Sequence, residues 1–283
     1  MKFISKSFIR WVSATGLLAV TLASVTQLSA QTVHIAHCMA GCPENDGGVS
    51  LDASELLVRQ LFVASIDSRT GLSDWQAYRV LADSVGVASL LPRVWYEDSL
   101  VSPNVASADV IDNDQQFVQA LPIDVEERSY KLNEIKILSE DQGRLVPMSS
   151  FAGTPYWSEL NFLSNMAALP FELRTGSWSR LDQAINALAN QTGEVFVVTG
   201  PIFDDLGRAG DDVLINPSAY FKVISTRSAM SAFIFSSDVR QHVNFCDQLS
   251  TRKVVEGRTG LDLFPQREND FTDTLHAQLG CAP

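Results

Sequence analysis

The first thirty residues most constrain what the rest of this chain can fold into. Three basic residues in the first ten positions precede an apolar stretch from Trp11 to Val25, and the segment closes in small residues at Ala30. This layout is typical of a secretory signal peptide, so we expect cleavage after Ala30 and one folded domain over residues 31–283. An uncleaved membrane anchor is the alternative, but the apolar stretch is short for a spanning helix. We therefore expect a secreted or periplasmic protein with no membrane association after cleavage.

Export would place the four cysteines in an oxidising compartment, where thiols form disulfides. Four cysteines allow three pairings. We expect a local Cys38–Cys42 bridge and a Cys246–Cys281 bridge that ties the C-terminal tail to the body of the protein. A zinc site is the alternative, because His34 and His37 lie beside Cys38. That alternative lacks a second pair of cysteines or histidines at a matching spacing.

Composition excludes two classes of protein. Of the 283 residues, 46% are hydrophobic, which is too apolar a chain for a disordered protein. Lys and Arg number 21 against 33 Asp and Glu, which excludes a basic nucleic-acid-binding tail. Loss of the first thirty residues removes three basic and no acidic side chains, and lowers the formal charge from −12 to −15. Such a charge repels a polyanion unless a local basic patch dominates.

Hydrophobic periodicity predicts strands interspersed with helices that do not alternate strictly, as in an α+β domain. Gly193 is expected to end a helix. The expected strands span residues 56–66, 75–80, 194–198, 220–225 and 230–235; the expected helices span 157–167 and 178–189, with helical turns near 254 and over 271–279; and residues 99–116 are expected to form a surface loop.

A series of short segments, in order along nearly the whole chain after residue 30, resembles the secreted DNA/RNA non-specific endonucleases. The resemblance implies a ββα-metal nuclease fold, with a central antiparallel sheet flanked by helices and an active site on a strand-loop-helix unit. The segments are His37–Pro43, Asp74–Val80, Arg93–Trp95, Asp141–Arg144, Phe151–Gly153, Leu160–Asn165, Gly176–Asp182, Val198–Phe203, Pro217–Ile224, Thr259–Asp262 and Leu279–Cys281.

The resemblance also implies a chemistry, the metal-dependent hydrolysis of phosphodiester bonds in DNA and RNA. In the family, the histidine of an Asp-Arg-Gly-His motif is the general base that activates water. An asparagine on the following helix holds one hydrated Mg²⁺, arginines contact the phosphate, and a glutamate on the same helix orders the water around the metal.

This sequence departs from that pattern at the residues that carry the chemistry. Arg144 stands at the general-base position, and Gln142 replaces the motif arginine. A guanidinium stays protonated at physiological pH and cannot take a proton from water. Arg174 stands at the metal-binding asparagine; it offers no acceptor oxygen and adds positive charge where a cation would bind. Leu169 replaces a glutamine, and Asp182 keeps the charge of the glutamate on a shorter side chain.

Arg93 and Asn165 match the family pattern. We therefore expect the catalytic positions to be Arg93, Arg144 and Asp182, and substrate to be contacted by Arg93, Asn165 and Arg174, with no metal ligand among them. Mg²⁺ is expected only if the protein is active.

Three functions remain open from the sequence. The first is an exported nuclease with atypical catalytic residues. The second is an inactive pseudonuclease that binds DNA, RNA or another phosphate-bearing ligand through an arginine pocket. The third is a structural or protein-interaction role, in which the arginines form internal salt bridges with Asp141, Glu172 and Asp182.

Overall fold

The computed structural model describes residues 34–45, 54–68, 70–103, 107–111, 117–119, 124–125, 128–133, 135–204, 216–267 and 271–282. The expected signal peptide and its cleavage position lie outside these ranges. Residues from His34 onward group into one compact unit. Within the ranges that are described, none of the helices has both the length and the apolar character needed to cross a bilayer.

The strands are β1 Glu44–Asn45, β2 Ser54–Val58, β3 Phe62–Asp67, β4 Ser73–Leu81, β5 Val94–Trp95, β6 Ala108–Ile111, β7 Phe117–Gln119, β8 Asp124–Val125, β9 Ser129–Leu132, β10 Ile135–Ile137, β11 Gln142–Arg144, β12 Met166–Ala168, β13 Glu194–Ile202, β14 Ala219–Ser225, β15 Met230–Ser236, β16 Leu249–Ser250 and β17 Leu261–Asp262. The helices are α1 Phe171–Leu173, α2 Ser179–Thr192, α3 Arg252–Thr259 and α4 Leu275–Gln278, and a π-helical turn covers Arg174–Trp178. Turns of 3₁₀ helix cover Ala82–Ser84, Ala88–Leu90, Ser139–Asp141, Met148–Ser150, Trp157–Asn161, Leu163–Asn165 and Phe245–Gln248.

A seven-stranded antiparallel sheet, in the order β16-β15-β14-β13-β4-β3-β2, forms the centre of the fold. Both of its faces are covered, because successive side chains of a strand point to opposite faces and here most are apolar. In β13, Val195 and Val197 belong to the core on one face, whereas Val198 belongs to the core on the other. The expected strands at 75–80, 194–198, 220–225 and 230–235 all lie in this sheet.

Helix α2 covers one face of the sheet. Leu181, Ile185 and Leu188 recur at helical spacing and are buried in the same core as the sheet residues Val195 and Val197. The helix ends where the sequence predicts, at Gly193, which has φ of +89° and donates its N–H to the carbonyl of Ala189. Helix α3 covers the opposite face through Val255.

Strands β11 and β12 pair antiparallel and lead, through α1 and the π-helical turn, into α2. Arg144 is opposite Met166 in this pair. At Gly143 a Cβ atom would lie 2.3 Å from the Leu169 side chain, so only glycine allows the segment after β12 to pack this closely. The resulting strand-strand-helix unit presents Arg144 and the first turn of α2 on the same side of the molecule.

Three expectations about local structure are wrong. Residues 56–66 form a hairpin of β2 and β3, and the chain turns at Arg59, whose N–H donates to the carbonyl of Phe62. Residues 157–167 form two 3₁₀ turns and the start of β12, because Phe162 is extended at ψ 144° between them. Within the expected loop 99–116, residues 108–111 form strand β6.

Both expected disulfides are present. Cys38 and Cys42 are joined, and Cys246 is joined to Cys281. The zinc alternative is wrong, because both of its cysteine sulfurs are used in a disulfide.

Candidate active site

A cleft of about 570 Å³ lies where β11 meets the beginning of α2. It brings together four of the expected site residues, Arg93, Arg144, Arg174 and Asp182. Its other lining residues are Val87, Ala88, Ser89, Ser139, Gln142, Pro147, Met148, Ser149, Thr175, Trp178, Ser179 and Gln183.

Arg144 is held by a network that includes the second substituted residue of its motif. Its guanidinium carbon lies 4.2 Å from the centroid of the Trp95 ring, in a cation–π contact. Nε donates to the carbonyl of Leu160 at 3.2 Å, and Nη2 donates to Oδ1 of Asn161 at 2.8 Å. Trp95 is fixed in turn, since its Nε1–H donates to Oε1 of Gln142 at 2.7 Å. The glutamine therefore orients the ring on which Arg144 lies.

Arg174 begins the π-helical turn before α2. Its Nη2 donates to the carbonyl of Glu140 at 2.9 Å, and its guanidinium lies 5.5 Å from the centroid of the Phe171 ring. Asp141 lies close by and accepts the N–H of Phe171 on Oδ1 at 3.1 Å. Burial raises the pKa of Asp141, and this effect is opposed by that hydrogen bond and by the charge of Arg174. The carboxylate thus supports the start of α1.

Asp182 lies on the first turn of α2 and forms an ion pair with Lys222. Lys222 is on β14 beneath the cleft; its side chain is 0% exposed, and its Nζ lies 4.0 Å from the centroid of the Trp178 ring. Burial raises the pKa of Asp182, and the ammonium of Lys222 opposes that rise. The expected alternative of an arginine salt bridge to Asp182 is wrong, because its partner is this lysine.

Asn165, which was expected to contact substrate, is not among the residues that line the cleft. It is 0% exposed. Its Oδ1 accepts the N–H of Val146 at 2.9 Å, and its Nδ2 donates to the carbonyls of Val146 and Leu160. The amide thereby joins the segment after β11 to the segment before β12. It positions Arg144, whose Nε bonds the same Leu160 carbonyl.

Arg93 is exposed at the edge of the cleft and forms no hydrogen bond or ion pair with any residue whose position is described. Arg180 points elsewhere, since its Nη2 donates to the carbonyls of Gln241 and Val243. Glu172 is exposed and has no ion-pair partner among the described ranges. None of the four histidines is among the described residues that line the cleft.

The cleft does not fit a bound Mg²⁺. Its only lining carboxylate, within the part of the chain that is described, is Asp182, and Lys222 already neutralises it. No group of three histidine, cysteine or acidic side chains is arranged to hold a metal anywhere in those same ranges. Arg174 adds positive charge beside the cleft where a carbonyl or amide oxygen would be needed.

The protein is an α+β domain in which a strand-strand-helix unit presents a cleft lined by three arginines. A family model of DNA/RNA non-specific endonucleases matches residues 46–270, and the chain belongs to that family. It is 29% identical over 278 residues to a nuclease of Serratia marcescens, covering 94% of this chain and 95% of that protein.

A chain in the crystal structure of the EndoG/EndoGI complex has the same fold, with a TM-score of 0.54 and 18% identity, covering 77% of this chain and 89% of that one. The expected α+β fold of the ββα-metal nuclease type is therefore confirmed.

Two features of the site were missed in the sequence. One is the buried Lys222, which lies in the segment Pro217–Ile224 that carries part of the family resemblance. A lysine within an apolar strand could have indicated a buried ion pair, because a lysine is almost never fully buried without a partner. The hydrogen bond between Trp95 and Gln142 joins residues 47 positions apart, and no local pattern could reveal it.

Proposed function

We propose that this protein is an exported pseudonuclease, which binds a phosphate-bearing ligand in the arginine cleft and does not hydrolyse it. The observation that carries the proposal is the joint presence of Arg93, Arg144 and Arg174 on the lining of one cleft. Planar guanidinium groups match phosphate oxygens in charge and geometry.

The positions needed for hydrolysis have been converted to binding positions. Arg144 cannot act as a general base at physiological pH. Loss of a base and of a metal ion removes several kcal/mol of transition-state stabilisation, on the order of 10² to 10⁴ in rate for the base alone. The substitutions also fit one another, since Gln142 holds Trp95 and Trp95 supports Arg144.

Hydrolysis with atypical residues is the second candidate, and the family membership favours it. The two candidates differ in one measurement. Purified protein is incubated with plasmid DNA and with RNA in Mg²⁺ or Mn²⁺, and binding to a fluorescent 12-nucleotide strand is followed by anisotropy in parallel. We expect binding without cleavage, and weaker binding for Arg93→Gln. Cleavage that is lost in Arg93→Gln would overturn the proposal in favour of a nuclease.

Export is part of the same proposal. It rests on the basic and apolar pattern before Ala30 and on the two disulfides, which persist in oxidising compartments. N-terminal sequencing of protein recovered from outside the cytoplasm should begin at Gln31. Recovery of the intact N-terminus from the membrane fraction would contradict it.

A further inference from the structure

We infer that the cleft takes a small ligand with a terminal, doubly charged phosphate, and binds it without a divalent cation. This inference rests on the proposed function and specifies the chemical class of the ligand. It separates a phosphomonoester, such as a nucleotide or the phosphorylated end of a short strand, from the internal diesters of a long nucleic acid.

The charge of the cleft points to a dianion. Three guanidinium groups line it, and the single carboxylate among the described lining residues is already paired with Lys222. Compared with the family pattern, Arg144 and Arg174 replace two uncharged side chains and Gln142 replaces an arginine, so the substitutions add one fixed positive charge on balance and leave three arginines on the lining. An internal diester carries one negative charge, whereas a terminal phosphate carries about 1.5 to 2 at pH 7. The fixed charges of the cleft therefore match a terminal phosphate better and need no metal.

The size and walls of the cleft point to a small ligand. Its volume of about 570 Å³ falls in the range of small-molecule pockets. The apolar part of the lining includes Val87, which is 76% exposed, and Met148 and Trp178, which are mostly buried, so a base or another flat group would pack chiefly against Val87. Such a combination of apolar wall and few charged groups is typical of a ligand pocket.

The charge of the whole protein disfavours a long strand. The formal charge after residue 30 is −15, taken from 21 basic and 33 acidic residues less the three basic residues before it. Proteins that bind duplex DNA firmly contact about 6–10 phosphates, and the cleft offers three arginines. A ligand with one phosphate is attracted by the arginines of the cleft and carries no further phosphates for the acidic rest of the protein to repel.

Calorimetry with two defined probes, on the purified protein in EDTA, tests the inference. The probes are a nucleoside 5′-monophosphate and a 3′,5′-dinucleoside monophosphate, which has only a diester. We expect the monoester to bind at least tenfold more tightly at pH 7.5. Because its second pKa lies near 6, we expect its affinity to fall about tenfold between pH 7.5 and pH 5, while the diester's affinity stays constant.

Variants of the cleft arginines test whether the monoester binds in the cleft. Arg93→Gln and Arg144→Gln/Arg174→Gln should each weaken monoester binding at least tenfold, and Arg93→Gln carries little folding risk because the side chain is exposed. Arg227→Gln is the matched control. Arg227 pairs with Glu194, beyond the C-terminal end of α2, whereas the cleft lies at its N-terminal end, roughly 21 Å away for 14 residues of helix. It should bind as the unaltered protein does.

Equal affinity for both esters, with no dependence on pH, would overturn the terminal-phosphate inference and leave the proposed function standing. Binding that requires Mg²⁺ would overturn the metal-free part of the inference. Absence of binding to either probe and to the 12-nucleotide strand would overturn the proposed function as well.

Discussion

Replacing Lys222 by methionine tests the ion pair beneath the cleft. The Lys222 side chain is 0% exposed and that of Asp182 is 9% exposed, so Lys222→Met leaves a buried carboxylate without its counter-charge. Removing one partner of a buried pair costs about 3–5 kcal/mol. For a domain of this size each kcal/mol lowers Tm by about 2–4 °C, so we expect a fall in Tm of roughly 6–20 °C. Urea unfolding at pH 7.5 measures the free energy directly.

The stability lost in Lys222→Met should become smaller as the pH falls. Burial raises the pKa of Asp182, and removal of Lys222 takes away the charge that opposes the rise. A carboxyl with a raised folded-state pKa is stabilised in its protonated form, so acidification favours the folded variant over its unfolded state. The difference in stability between Lys222→Met and the unaltered protein should therefore shrink from pH 7.5 to pH 5.

The double variant Lys222→Met/Asp182→Asn supplies the control. With both charges gone, most of the lost stability should return, because a neutral pair avoids the burial of a lone charge. A cost of less than about 1 kcal/mol for Lys222→Met would contradict this expectation, as would a double variant whose loss of stability equals the sum of the two single losses.

Three further predictions concern the rest of the molecule. Cys246→Ser/Cys281→Ser removes a disulfide of sequence separation 35 and should lower the free energy of unfolding, measured in urea, by about 4 kcal/mol. Removing the Cys38–Cys42 disulfide, of separation 4, should lower it by about 2 kcal/mol. Equal losses would contradict the dependence on loop length. Burial lowers the pKa of His37 below its ordinary 6.5, so the unfolded chain takes up this proton at a higher pH than the folded protein does. The free energy of unfolding should therefore fall as pH drops below about 6.5. His37→Gln should lessen that fall in thermal melts recorded over a series of pH values, and an unchanged pH profile would contradict this. Arg144→His/Arg174→Asn should produce Mg²⁺-dependent plasmid cleavage that neither single change produces, because a base and a metal site act as a unit; cleavage by one single variant alone would refute it.

Features set by local patterns could be predicted from the sequence. The end of α2 at Gly193 follows from a glycine after an apolar helical repeat. The two disulfides follow from four cysteines in a chain expected to be exported. The burial of Trp178 follows from its place on the apolar face of the helical pattern.

Features set by tertiary contacts could not be predicted. Residues 56–66 contain no glycine or proline to indicate a turn, and only the polar pair Arg59-Gln60 interrupts the apolar run where the hairpin turns. Arg59 is held there by an ion pair with the distant Asp98. Residues 157–167 have helical spacing, yet the amide of Asn165 bonds three backbone groups and holds the segment in 3₁₀ turns. The position of Lys222 under Asp182 depends on how α2 lies on β14, which a single sequence does not specify.

We propose that fixed guanidinium groups take the place of a metal ion in the cleft. Electron paramagnetic resonance of free Mn²⁺, titrated with increasing protein, measures metal binding without relying on activity. We expect the signal of free Mn²⁺ to keep its full amplitude up to a large excess of protein. Loss of that signal at one ion per chain, with the loss abolished by Asp182→Asn, would show a metal in the cleft and contradict this proposal.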